Sequence, residues 1–250
     1  MSDAPPKTTP RRGRRPATAQ NAARPKPEYH AVDFQEIKTD PEVLALIDAA
    51  DRSLAEIGYT DHGIRHIARV AARAMRVIRD LGLPEREAQL AGVAAYLHDI
   101  GNVVHRTAHA QSSAIMAFDI LTRRRMDPTE IGLVMSAIGN HDEGIGEPVN
   151  NPSAALILAD KSDVLRSRVR SMTPMLTRDI HDRVNYAATD SRLEVDREGR
   201  FVTLRLTIDT EVASVMDYFE IFLGRMAMCR RAANYLNCDF ALLINETRLL

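Results

Sequence analysis

The sequence contains no tryptophan, only two cysteines and no long hydrophobic run. A transmembrane helix requires about 18 or more consecutive apolar residues, so the sequence predicts no membrane-spanning segment and no membrane partner. Two cysteines are too few for a disulfide framework, and the first residues lack the apolar segment of a secretory signal. These absences indicate a protein of the reducing cytoplasm.

Charges of the two signs nearly balance, with 33 Lys and Arg residues against 34 Asp and Glu residues. A net charge of −1 excludes a molecule that binds nucleic acid through its overall charge. Hydrophobic residues make up 45% of the chain and charged residues 27%, which is typical of a globular protein. The length of 250 residues allows one sizeable domain and a smaller one.

Residues 1–33 are rich in Pro and Arg and nearly free of large apolar side chains. Such a segment cannot bury enough surface to offset its conformational entropy, so we predict a disordered tail. Four of its arginines could contact acidic partners or nucleic acid, although a charge run of this kind is more often simply solvated. These arginines are Arg11, Arg12, Arg14 and Arg15.

Helical patterns follow one another through residues 34–187. Asn151 precedes a proline and is predicted to cap a helix, and Asp127 and Glu130 have the spacing of a capping box. The segment 84–99 is apolar nearly all round, which is typical of a central, buried helix. We therefore predict a mainly α fold, with a helical domain over this part of the chain.

Residues 188–250 follow a different pattern. Apolar and polar residues alternate on both sides of "DREG", which predicts a β-hairpin, and a long amphipathic helix and one or two short strands follow. We predict a small C-terminal α+β appendage. The apolar stripe of its helix could mediate a homodimer, although such a stripe more often packs into the core. The stripe consists of Val215, Met216, Phe219, Phe222, Leu223 and Met226.

Six of the eight histidines fall within or at the ends of predicted helices between residues 62 and 141. Asp99 ends an apolar helix and Asp160 lies inside an apolar run, where a carboxylate is costly unless it is paired or bound to a metal. Any single histidine could be an ordinary core residue, but the whole set predicts a metal centre inside a helical bundle. The histidines are His62, His66, His98, His105, His109 and His141.

The order of these residues resembles that of the HD superfamily of metal-dependent phosphohydrolases. "HIARVAARA" is similar to the helix that carries the first metal-binding His of the family, "AAYLHDIGN" to its signature His-Asp doublet, and "AALILADKSD" to the helix of its last Asp. His109 in "AHAQSSAIMAFDIL" and His141 in "AIGNHDEG" resemble two further histidines of the binuclear subset. The resemblance covers about residues 60–170 and implies an HD-type helical bundle.

The resemblance implies two divalent metal ions that share Asp99. Carried over to this sequence, one ion would bind His66, His98, Asp99 and Asp160, and the other would bind Asp99, His109 and His141. Carboxylate and imidazole ligands suit Mn, Fe, Zn, Ni or Mg. The implied activity is the hydrolysis of a phosphomonoester, nucleotide or phosphodiester by a hydroxide that bridges the two metals, so the expected partner is a small phosphorylated molecule.

Residues beside the ligands also receive implied roles. In cyclic nucleotide phosphodiesterases, which are distant relatives, a His four residues before the first metal His protonates the leaving oxygen, and in some HD-GYP proteins this position binds a third metal. Either role suits His62, and a polar residue near solvent is the alternative. Lys161 and Arg69 are predicted to bind phosphate. We expect His105 at the surface or behind the ligands. A solvated helix face is expected for Arg166, Arg168 and Arg170.

Some features depart from related families. HD-GYP domains carry Gly-Tyr-Pro where this chain has "GIGEP", and Asn102 replaces the Lys that often follows "HDIG" in them, so a cyclic dinucleotide phosphodiesterase is disfavoured. Two other functions stay open. One is a mixed-valent di-iron oxygenase, because myo-inositol oxygenase is similar and has the same four His and two Asp. The other is a non-catalytic regulatory or scaffold protein that a metal stabilises.

Overall fold

The computed structural model describes residues 28–170 and 180–249 of the chain. Helices dominate the described residues, and a small sheet follows them, so the predicted mainly α fold with a C-terminal α+β part is confirmed. The first seven helices are α1 (Phe34–Lys38), α2 (Pro41–Glu56), α3 (Ile64–Asp80), α4 (Glu85–Leu97), α5 (His109–Arg123), α6 (Pro128–Gly139) and α7 (Asn151–Lys161). None of the described helices is both long and apolar enough to cross a membrane.

Helix α4 lies at the centre of the bundle, as the sequence predicts. All of its residues from Leu90 to Leu97 are buried, and it contacts α1, α3, α6 and α7. Small residues allow this close packing, because a Cβ at Gly92 would lie 2.7 Å from the Met75 sulfur. The helix ends at Leu97, and a 3-10 turn follows at Ile100–Val103. The His-Asp doublet between them is therefore held in the middle of the bundle.

Two of the predicted helix caps differ from the structure. The N-cap of α7 is Asn150, whose side chain accepts a hydrogen bond from the Ser153 amide, and Asn151 is already helical. Asp127 caps α6 by accepting from the Thr129 amide, but Glu130 does not complete a capping box. Glu130 instead accepts hydrogen bonds from the Arg86 guanidinium, because a two-pronged ion pair is a stronger partner than a backbone amide.

The predicted disordered tail covers residues 1–33, of which the structure describes residues 28–33. Residues 1–27 lie outside the described residues, and residues 28–33 are mostly exposed but contact the bundle at two points. Val32 is fully buried, and the His30 amide donates a hydrogen bond to the Arg125 carbonyl at 3.1 Å. Asp33 caps α1 in a capping box with Glu36. The composition of the tail hid this short anchor, since a single buried valine barely changes the average of a polar segment.

The C-terminal part consists of α8 (Ile180–Ala187), β1 (Ala188–Asp196), β2 (Phe201–Ile208), α9 (Val215–Tyr235), β3 (Asp239–Ile244) and β4 (Thr247–Arg248). The strands form one sheet in the order β1-β2-β3-β4. Strands β1 and β2 form the predicted antiparallel hairpin, and β3 pairs in parallel with β2. Helix α9 connects β2 to β3 along the chain, and it packs against the sheet and against α7.

The apolar stripe of α9 divides between the core and the surface. Phe222 and Met226 are buried, whereas Met216 and Leu223 are 65% and 62% exposed. The buried part of the stripe joins the sheet to the helical bundle. Homodimer formation through the exposed part stays a prediction.

Candidate metal centre

The structure brings all six predicted metal ligands together at the centre of the bundle. The first group consists of His66 on α3, His98 at the end of α4 and Asp160 on α7. Asp160 Oδ1 lies 3.4 Å from His66 Nε2 and 3.7 Å from His98 Nε2. Asp99 Oδ2 lies 3.4 Å from His98 Nε2 and 4.0 Å from His66 Nε2. The ligand atoms of His66, His98 and Asp160 lie within 4.8 Å of one another, and Asp99 Oδ2 adjoins the two histidines.

The second group consists of His98, Asp99 and His141, and His109 adjoins it. Asp99 Oδ1 lies 3.4 Å from His109 Nε2 and 3.8 Å from His141 Nε2. The two imidazole nitrogens are 3.2 Å apart. His109 starts α5, and His141 follows the end of α6. The two oxygens of the Asp99 carboxylate therefore face two different sets of histidines.

Hydrogen bonds at Nδ1 orient three of the four imidazoles through the backbone. His98 Nδ1 lies 2.7 Å from the Ala95 carbonyl, and His141 Nδ1 lies 2.6 Å from the Ile138 carbonyl. His109 Nδ1 lies 3.1 Å from a carbonyl of the preceding turn. A carbonyl can only accept, so each Nδ1 donates and each Nε2 keeps its lone pair toward the centre. Such contacts typically orient metal-binding histidines.

The pKa values of Asp99 and His141 fit metal ligands, whereas the carboxylates of Asp99 and Asp160 outweigh burial and raise the pKa of His98. Burial alone would raise the pKa of Asp99, but the imidazoles of His98, His62 and His109 hold it well below its usual range. Burial and the neighbouring His98 hold the pKa of His141 well below its usual range. The carboxylate is therefore ionised and this imidazole neutral, which are the protonation states that bind metal.

A divalent metal fits these residues because the site contains buried nitrogen atoms that lack a partner. His66 Nε2 and His98 Nε2 are buried without a hydrogen-bond partner, and a buried polar atom of this kind is costly. A metal among the first group would satisfy both atoms. Imidazole and carboxylate ligands suit Zn, Fe, Ni, Mn or Mg, in keeping with the range that the sequence predicts.

The structure adds a residue that the sequence analysis missed. Asp163 is fully buried, and its Oδ2 lies 2.8 Å from His66 Nδ1. Its Oδ1 accepts a hydrogen bond from Arg69 at 2.9 Å, and Arg73 lies 3.5 Å away. Asp163 thus gives His66 the orientation that carbonyls give the other three. Its signal was present in "ADKSD", where a second Asp follows Asp160 by three residues.

We expect Asp163→Asn to weaken metal binding by about 10- to 100-fold, the usual cost of losing a partner of a metal-bound His. The amide keeps the shape of the side chain but removes the charge that faces His66 and Arg69. Metal affinity is measured by competition with a chromogenic chelator. Asp80→Asn is the matched control, because Asp80 is an exposed carboxylate that pairs weakly with Arg76 at 3.9 Å. Equal affinities for both variants would contradict the role given to Asp163.

The two predicted phosphate-binding residues occupy different places. Lys161 is buried, and its Nζ lies 2.8 Å from Asp160 Oδ2 and 3.7 Å from Glu143 Oε1. It lines a small cavity of about 30 Å³ beside the ligands. Arg69 instead donates to Asp163, behind His66. The structure thus places Lys161 at the cavity and Arg69 behind a ligand.

His62 is half-buried, precedes the N-terminus of α3 by two residues and lies beside the ligand His66. The centroids of the two rings are 5.5 Å apart, and His62 lines both the small cavity and a larger neighbour of about 440 Å³. Its Nδ1 lies 2.7 Å from the Thr60 carbonyl, so Nδ1 donates and Nε2 carries the lone pair. Burial and the nearby Arg168 hold the pKa of His62 well below its usual range.

Three arginines line both cavities, and the sequence analysis singled out none of them as part of the site. They are Arg106, Arg168 and Arg225. The expectation of a solvated helix face is wrong for Arg168, which is only 6% exposed. It lies in a 3-10 turn after α7, where it bonds to the Asp61 and Asp163 carbonyls. Arg225 reaches the site from α9, far along the chain.

The remaining histidines lie away from the ligands. His105 is exposed, and its Nδ1 accepts a hydrogen bond from the Thr107 amide at 3.0 Å. His30 is exposed and lies 3.9 Å from Glu36. The side chain of His181 lies outside the described residues.

The model of the HD domain family matches residues 63–168. The resemblance to the HD superfamily that the sequence predicts is confirmed over these residues. An uncharacterized protein of Methanocaldococcus jannaschii is 30% identical over 171 residues, which cover 59% of this chain and 63% of that protein. The chain therefore spans only part of that relative's length.

The chain is also similar to a solved structure. A predicted HD superfamily hydrolase from an uncultured Thermotogales bacterium is 25% identical, with a TM-score of 0.41. The match covers 50% of this chain and 67% of that one.

Proposed function

We propose that this protein is a metal-dependent phosphohydrolase with a binuclear centre of two divalent metal ions, such as Mn, Fe, Zn, Ni or Mg. One observation carries the proposal: the two oxygens of Asp99 face different pairs of histidines, Oδ2 toward His98 and His66 and Oδ1 toward His109 and His141. A single carboxylate between two such groups is the arrangement that a two-metal site requires. Two bound ions would polarise a phosphoryl oxygen and lower the pKa of water.

The protein's own groups would hold the substrate beside Asp99. Lys161 lies at the small cavity and can neutralise charge on a phosphoryl group, although it also pairs with Asp160. The larger cavity of about 440 Å³ adjoins the site and has room for the rest of a small molecule. These features support a phosphomonoester, a nucleotide or a phosphodiester as the substrate.

His62 is the residue that we propose moves a proton. Its Nε2 carries a lone pair because Nδ1 donates to Thr60, and its ring lines both cavities. It can accept a proton from water and return it to the leaving oxygen, which is the usual work of a catalytic imidazole. This geometry also suits a further metal ligand, the other role that the resemblance implies.

Turnover after controlled metal loading tests the proposal. The protein is stripped of metal, reloaded separately with Mn, Zn, Ni, Fe or Mg, and assayed with p-nitrophenyl phosphate and bis(p-nitrophenyl) phosphate. We expect turnover with at least one metal and none in the stripped protein. The described residues that line the site include no Ser or Cys that could act as a nucleophile in place of metal-bound water. His62→Gln should lower kcat by about 100-fold, the typical contribution of a general acid or base, while metal content stays the same.

Two results would contradict this function. Iron-loaded protein that consumes oxygen and leaves every phosphoester intact would favour the di-iron oxygenase. Fully loaded protein with neither activity would favour the metal-stabilised scaffold.

A further inference from the structure

Four cationic side chains line the small cavity beside the metal ligands: Arg106, Lys161, Arg168 and Arg225. Two of them already have carboxylate partners. Lys161 pairs with Asp160 at 2.8 Å, and Arg225 Nε donates to Glu143 Oε1 at 2.6 Å. The charges of these two residues are therefore largely compensated within the protein.

The other two cations have only neutral partners. Arg168 donates from Nε to the Asp61 carbonyl at 3.1 Å and from Nη1 to the Asp163 carbonyl at 3.0 Å. Arg106 donates to Asn102 Oδ1 at 3.3 Å, and its guanidinium lies 5.3 Å from the centre of the Tyr59 ring. Within residues 28–170 and 180–249, neither guanidinium has a carboxylate within ion-pair distance.

Arg168 is only 6% exposed, and the carboxylates of Asp163, Asp160 and Asp99 act on its charge only from beyond ion-pair distance. Burial of a charge is normally offset by an opposite charge and by hydrogen bonds. The backbone carbonyls supply hydrogen bonds but no full negative charge. The same two arginines line the larger cavity as well, so an anion there could form the direct ion pair that both guanidinium groups lack.

We propose that Arg106 and Arg168 form an anion-binding subsite, and that the substrate carries a second anionic group besides the phosphoryl group that reacts. The second group is a phosphate or a carboxylate, which a guanidinium binds through two parallel hydrogen bonds. The reacting phosphoryl group lies at Asp99 and the histidines, whereas both arginines extend along the wall of the larger cavity. The role of this subsite in substrate choice rests on the proposed hydrolysis, whereas its ability to bind an anion does not.

Two small probes that differ by one anionic group test the subsite. Glycerol 3-phosphate carries a phosphate alone, and 3-phosphoglycerate carries a phosphate and a carboxylate on the same carbon chain. Binding of each probe to the metal-loaded protein is measured by calorimetry. We expect 3-phosphoglycerate to bind about 10-fold more tightly, as one additional charge-assisted contact allows. Equal affinities, or no measurable binding of 3-phosphoglycerate, would overturn the proposal.

Two variants assign the preference to the arginines. Arg106→Gln should reduce the preference to about 2-fold, since the second anion loses a charged partner. Arg168→Lys keeps the charge but loses the planar fork, and it should also reduce the preference. Circular dichroism establishes that each variant folds. Arg231→Gln is the control, because Arg231 lies on the surface of α9, pairs with Glu147 at 2.9 Å and lines neither cavity.

The remaining outcomes also decide the matter. A preference that persists in both the Arg106 and Arg168 variants would overturn the assignment to these residues. The same preference in wild-type protein that hydrolyses no phosphoester would support the subsite and contradict only the proposed hydrolysis. The binding readout thus separates failure of the subsite from failure of the reaction.

Discussion

Replacing Asp99 by alanine should abolish phosphoester turnover and release metal from both groups of ligands. Asp99 is 4% exposed and lies between the two histidine groups, so no other carboxylate can take its place. Loss of several kcal/mol of transition-state stabilisation corresponds to a fall in kcat/KM of about 1,000-fold or more. Steady-state kinetics and elemental analysis of the same sample measure both effects.

The second His-Asp doublet provides a matched control for this variant. Asp142 follows His141 as Asp99 follows His98, but Asp142 lines neither cavity of the site. Asp142→Asn should therefore keep metal content and turnover within about 2-fold of wild type, as is common for substitutions outside the reacting groups. Equal losses in the two variants would contradict the special role of Asp99, because any Asp that follows a ligand His would then have the same effect.

Gly101→Ala should destabilise the fold and disturb the second ligand group. A Cβ at this position would lie 2.3 Å from the His109 carbonyl oxygen and 2.5 Å from the Ser113 amide nitrogen. These are backbone atoms of α5, so relief of the clash must move the helix that carries His109. Overpacking of this kind costs about 3 kcal/mol, which lowers Tm by roughly 6–12 °C for a chain of this size. Thermal unfolding followed by circular dichroism measures the change.

A second glycine separates the clash from a general effect of the substitution. Gly132 lies on the exposed face of α6, and a Cβ there would have no neighbour within 4 Å. Gly132→Ala should stabilise the protein by roughly 0.5–1 kcal/mol, because alanine loses less backbone entropy than glycine in a helix. If Gly101→Ala unfolded at the same temperature as Gly132→Ala, the close contact between the turn and α5 would not exist.

The sequence predicted much of the fold because its signals are local. The all-apolar segment before His98 gave the central helix, and alternating residues around "DREG" gave the hairpin. The predicted capping box was wrong because two hydrogen-bond donors compete for the same carboxylate. Glu130 could have capped its own helix, but Arg86 offers a stronger bond from a residue 44 positions away. A window of sequence does not contain that competitor.

The candidate site divides in the same way between local and distant features. Helical spacing and residue order suffice to place the metal ligands on a bundle, whereas Arg168 and Arg225 reach the cavities only through tertiary packing. Arg168 sits in a run of alternating arginines that is typical of a solvated surface, but it is buried and donates hydrogen bonds to the backbone carbonyls of Asp61 and Asp163. Arg225 enters because α9 packs on α7, which no short motif encodes.

Anomalous X-ray diffraction from crystals of the metal-loaded protein, recorded at the absorption edge of the loaded metal, tests the central claim most directly. The account predicts two anomalous peaks, one on each side of the Asp99 carboxylate. One peak should lie among His66, His98 and Asp160, and the other beside His109 and His141. A single peak at full loading, or peaks away from Asp99, would contradict the binuclear centre on which the proposed hydrolysis depends.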